Sequence, residues 1–187
     1  MPLIARFFLR AKHWQLFLLL FGIGFVGDVG ILGSAVASPS QQNLGRFTAI
    51  TEIVTLPFLC CFLAWFWSVG SFCDSLIRPE RRLSIGFFRF ALIYPALYIF
   101  MFIALLPIIP LWSTVLILPL HLFAMFCLFY ELYFASKSLV LAETGRAKSF
   151  YDYAGPFFLL WFFPIGVWFI QPRINRLYLR HSGVSAP

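Results

Sequence analysis

Four apolar runs separated by short charged loops constrain this chain more than any other feature; they cover about residues 14–37, 49–70, 86–106 and 115–135. One bilayer crossing needs roughly 20 predominantly apolar residues, and each run meets that requirement. Inside a bilayer every backbone N–H and C=O must find its partner within the protein, so such spans are helices. Composition agrees: 61% of residues are hydrophobic and 11% charged, against about half and about a quarter in soluble domains. So few charges cannot coat a water-facing surface around this much apolar side chain. The expected fold class is an all-α integral membrane protein with four transmembrane helices. Residues 1–187 are expected to form a single membrane domain, with no separate soluble catalytic domain.

The charges set the expected orientation. The chain carries 14 Lys and Arg against 7 Asp and Glu, a net charge of +7. With four crossings, 13 of the 14 basic residues share one side and only Arg46 lies opposite. Basic loops stay cytoplasmic, so both termini are expected in the cytoplasm. Basic residues dispersed over span ends form no phosphate-tracking stripe, so nucleic acid is not an expected partner; membrane lipids and other membrane proteins are. The remaining apolar segment, FFLLWFFPIGVWFI at 157–170, is 14 residues long with Pro164-Ile165-Gly166 at its centre. Length and breaker point to a C-terminal broken hairpin, re-entrant or interfacial, rather than a span. The alternative is a thin fifth crossing begun at Tyr153, which worsens the basic split to 10 against 4. The first run has an alternative too, since Ala35-Val36-Ala37 resembles a signal-peptide cleavage site. That run exceeds the roughly 7–15 residues of a signal h-region, and Asp28 with its neighbouring glycines suits a packed helix.

Ionisable groups within spans are the first places to look for function. Asp28 in the first run, Glu52 at the start of the second and His121 in the fourth all fall toward the outer side. Together they form a candidate intramembrane polar cluster, able to bind a proton, a cation or a head group; separate contacts with interfacial water are the plainer reading. Glu131, between Tyr130 and Tyr133 and six residues before Lys137, reads as an interfacial anchor near the cytoplasmic end of its helix. Arg78, Arg81 and Arg82 read first as a topology signal and second as contacts for anionic lipid head groups. Trp161, Pro164, Gly166 and Trp168 mark the hairpin and a candidate partner contact. Arg173, Asn175 and Arg176, after Gln171-Pro172, are placed to form a polar cap over it. Cys73 falls in an expected cytoplasmic loop, where a cysteine is a candidate for lipidation.

Some chemistry is excluded. The four cysteines form no CxxC pair and no metal-like spacing with histidine, so no metal is expected. Nucleotide, serine-hydrolase and zinc-protease fingerprints are missing from the sequence, and no cofactor is named by it. Aromatics make up 20% of the chain, 25 of them Phe. Such a surface suits lipid and interfacial belts, and it can also receive a pigment, a quinone or another membrane protein.

Two stretches carry a resemblance. KHWQLFLLLFG at 12–22 and FFLLWFFPIGVWFIQPRIN at 157–175 resemble a family of small, uncharacterised multi-span bacterial membrane proteins of Bacteroidetes type. The resemblance implies a full-length first span, a bacterial cytoplasmic membrane and no transferable functional residue, because the family has no assigned activity. The leading functional expectation is a non-enzymatic membrane subunit or scaffold that packs laterally against other membrane proteins. A small transporter or channel built on Asp28, Glu52 and His121 is the first alternative, and a membrane-embedded lipid-acting enzyme the second.

Overall fold

The computed structural model describes residues 3–22, 25, 29, 33, 43–105, 114–146 and 149–182, with 43–55, 114, 116 and 182 described by backbone alone. Among the described residues every regular element is helical. The helices are α1 (Leu3–Arg10), α2 (His13–Phe17), α3 (Asn43–Leu76), α4 (Ile85–Leu105), α5 (Thr114–Thr144), α6 (Phe150–Trp161) and α7 (Phe163–Ser182). A π-helical turn, Leu18–Gly22, continues α2, and a short 3-10 turn, Pro79–Arg81, follows α3.

Among the described residues three helices are long and apolar enough to cross a membrane: Leu56–Leu76 within α3, Ile85–Leu105, and Ile117–Thr144 within α5. Twenty-one residues at ~1.5 Å each match the roughly 30 Å hydrocarbon core. The chain is thus a helical protein with the spans of a membrane protein. Half of the run expected at 14–37 lies outside the described residues. Helix α3 extends past the apolar run at both ends, taking in Cys73 and Asp74. Cys73 is therefore a fully buried helical residue, which removes the expectation of an exposed, lipidated loop cysteine. Prolines 57, 95, 119, 156 and 172 sit inside helices, as membrane helices tolerate where neighbours re-satisfy the freed carbonyls.

The core lies where α3, α5 and α7 meet, around Trp65, Phe66, Phe134, Leu139, Ile170 and Ile174. Helix α4 joins through Phe88, which stacks on Phe134 at 4.2 Å. Gly70 makes that approach possible, because a Cβ there would lie 2.5 Å from the Phe88 ring; small residues at helix crossings serve this purpose in membranes. A bidentate ion pair fastens α7 to α5, with Arg173 Nε donating to Glu143 Oε1 at 2.9 Å and Nη2 to Oε2 at 2.5 Å.

Helix α1 is short and amphipathic. Phe8 and Leu9 are buried, while Leu3, Ile4 and Phe7 face outward beside Arg6 and Arg10. A helix leaves its last carbonyls without internal partners, and here α7 supplies them. Gln171 Nε2 donates to Phe8 O at 2.8 Å and Ala11 O at 3.0 Å. Asn175 Nδ2 donates to Leu9 O at 2.7 Å and Ala11 O at 3.2 Å. The Gln171 carbonyl in turn accepts from Trp65 Nε1 at 3.1 Å. One buried amide therefore joins α1, α3 and α7.

Candidate functional site

Helices α6 and α7 follow one another through a single non-helical residue, Phe162, at φ −91° and ψ 55°. The break falls at Phe162 and not at Pro164. Pro164 instead occupies the first turn of α7, where a missing N–H costs nothing and its fixed φ suits the helix. Gly166 closes the turn from the other side: it packs so tightly on the Leu159 carbonyl that a Cβ would overlap it. The turn carries Trp161 onto Phe129 of α5 at 4.6 Å. It carries Phe163 onto Phe62 of α3 at 5.4 Å.

Between these contacts lies a cavity of about 250 Å³, walled by Phe62 and Phe66 of α3, Leu128, Phe129 and Leu132 of α5, Leu160 and Trp161 of α6, and Phe163 of α7. Met125 and Trp161, both lining it, are exposed on the outer surface of the bundle. The opening therefore faces sideways, toward what is hydrocarbon if α3 and α5 cross a bilayer.

The acidic group among the lining residues is Glu131. It is 2% exposed, and its Oε1 is buried without a hydrogen-bond partner. Glu131 lies fourteen residues along the apolar helix Ile117–Thr144, about 21 Å at ~1.5 Å per residue. Lys137, the next basic residue on α5, donates to Tyr133 Oη at 2.7 Å, and no described ion pair includes Glu131. The expected basic partner is not there and the carboxyl is buried: α5 runs on to Thr144, and Glu131 sits inside the bundle. The signal was present in the sequence as Leu139, Val140 and Leu141, apolar residues that prolong the run beyond Ala135; all three are buried. A partnerless polar group in an apolar enclosure costs about 1–3 kcal/mol, which makes Glu131 a functional candidate.

No family model, curated protein or solved structure matches this chain.

The other expected residues fall as follows. Asp28 lies outside the described residues, and Glu52 lies on the backbone of α3 with its side chain undescribed. His121 is exposed on α5, where its Nδ1 lies 3.2 Å from Tyr98 Oη on α4. Trp168 is half-exposed and packs on His13 and Phe17, at 4.7 and 5.7 Å between ring centres; Trp161 is a wall of the cavity. Of the loop arginines, Arg81 Nη1 donates to Gly145 O at 2.6 Å and Arg82 Nε to Ile77 O at 3.0 Å. Both cations thus cap helix C-termini, α5 and α3, where positive charge is favoured. Arg78 is exposed. Arg173 and Asn175 make the contacts given above rather than a cap over the turn, and Arg176 Nε reaches Pro172 O at 3.3 Å. Among the described residues no cluster of His, Cys, Asp or Glu could hold a metal ion.

Proposed function

We propose that this chain is a multi-pass cytoplasmic-membrane protein that holds a lipophilic molecule inside the bilayer without catalysing its conversion. The cavity over Glu131 carries this reading: it is apolar, opens toward the lipid side and contains a carboxyl oxygen without a partner. Glu131 apart, no Ser, Cys, His, Lys or Asp lines the cavity, so the partners that would activate a reacting group are lacking there. The stripe of Phe90, Ile93, Leu97 and Phe100 along the exposed face of α4 favours lateral packing on another membrane protein. Lipid covers such a stripe equally well, so ligand binding is placed first and the subunit role second.

The topology belongs to the same proposal. Four helices cross, both termini are cytoplasmic, and α6 and α7 dip in from the cytoplasmic face and return. Ring contacts support this. Tyr153, early in α6, meets Tyr133, and Trp161 at its end meets Phe129, so α6 climbs α5 toward the outer side. Phe163 meets Phe58 and Tyr178 meets Phe72, so α7 descends alongside α3.

Organic extraction of the protein purified from its own membranes in lipid nanodiscs tests the binding function. One lipophile is expected near one copy per chain, and it is lost when Leu132→Trp fills the cavity. Recovery of bulk bilayer lipids alone, in equal amounts from both proteins, would reject it.

A further inference from the structure

The polar content of the cavity narrows the ligand. Glu131 is held among Phe62, Phe66, Phe129 and Leu132, its Oε1 has no partner, and Lys137 is engaged by Tyr133. A cationic ligand would bury a full ion pair, whose desolvation at both ends exceeds what one contact returns unless further hydrogen bonds surround it. Beside Glu131 the one polar side-chain group of the walls is the Trp161 indole N–H, a donor that cannot serve a cation. A neutral carboxyl donating its O–H to an acceptor oxygen meets the same site with neither charge to desolvate.

Shape narrows it further. Trp161 and Phe129 stand 4.6 Å apart on one side and Phe62 and Phe163 5.4 Å apart on the other, presenting ring faces and edges to the space between. Conjugated rings pack on such surfaces in offset or edge-on geometry. The volume, about 250 Å³, is below the roughly 300–1,000 Å³ of pockets that enclose whole drug-sized ligands. It accepts a head group, and the lateral opening beside Met125 and Trp161 lets a tail lie in the bilayer.

We infer that the ligand is a lipophile with a flat conjugated head bearing a carbonyl oxygen, which accepts a hydrogen bond from the Glu131 carboxyl. The inference rests on the binding function proposed above. It is tested by equilibrium retention of two probes, a prenylated naphthoquinone and the matching prenylated naphthalene, on nanodiscs containing the protein and on empty ones. The wild type is expected to retain the quinone about tenfold more strongly than the hydrocarbon, the worth of one buried hydrogen bond. Glu131→Gln, which keeps an N–H donor, is expected to retain most of that preference. Glu131→Leu, or Glu131→Ala should the leucine variant not fold, is expected to bind both probes equally. Equal retention of the two probes by the wild type overturns the ligand chemistry while leaving the pocket standing. Glu131→Gln behaving like Glu131→Leu also overturns it, because an N–H donor at the same place would then not hold the carbonyl oxygen. Retention of neither probe above empty nanodiscs rejects the binding function itself.

Discussion

The Gly166→Ala variant is expected to unfold about 6–12 °C below the wild type in detergent, the shift that about 3 kcal/mol produces in a chain of this size. The added methyl overlaps the Leu159 carbonyl group. Overpacking a core costs about 1–3 kcal/mol when side chains can move aside, and here the obstacle is backbone, so the upper end applies. The Phe162 turn must open, and Trp161 and Phe163 move with it. The same variant is therefore expected to lose the lipophile. Gly155→Ala, on the preceding helix with nothing near its Cβ position, is the matched control and should be neutral or slightly stabilising, since alanine is the better helix former. Equal midpoints for the two variants would show that the turn is not as close as described.

Replacing Gln171 by leucine is expected to cost about 3 kcal/mol, from unpaired buried groups at about 1–3 kcal/mol each. Gln171 is 0% exposed. Its loss leaves Trp65 Nε1 and the Phe8 carbonyl without the partners they have at 3.1 and 2.8 Å, while Ala11 O keeps Asn175. Because the amide joins α1 to the bundle, limited proteolysis should then cut first within residues 3–12. Trp65→Phe removes one of the orphaned groups, so adding it to Gln171→Leu should cost less than its cost alone, a coupling that a double-mutant cycle reads directly. A Gln171→Leu protein within about 0.5 kcal/mol of the wild type, as for an ordinary surface change, would contradict the role given to this amide.

Much of the architecture was legible because bilayer physics leaves few choices. The run at 86–106 is α4 to within a residue, since twenty apolar residues in lipid have only a helix to form. The breaker at Pro164-Ile165-Gly166 pointed to the right place for a different reason. Glycine is needed for closeness to Leu159, whereas proline starts the next helix and the chain bends at Phe162, a residue with no turn preference. The burial of Glu131 is hidden in the sequence because polar Ser136 and Ser138 and charged Lys137 look like the end of an apolar run. Packing instead buries both serines and hands Lys137 to Tyr133. The Gln171 and Asn175 contacts could not be read at all: their partners are carbonyls more than 150 residues away, and a carbonyl has no sequence identity. Arg81 and Arg82 were read as topology signals, and their helix-capping contacts depend on where α3 and α5 end.

The hairpin formed by α6 and α7 requires that both enter and leave the membrane on the same side. Cysteine accessibility in intact expressing cells measures this directly, with a membrane-impermeant thiol reagent applied to Arg180→Cys and, as the outer control, Gln42→Cys, each read against the wild type's own labelling. The expected result is labelling of Gln42→Cys in intact cells and of Arg180→Cys only after permeabilisation. Labelling of Arg180→Cys in intact cells would contradict the hairpin and make residues 150–182 a membrane crossing.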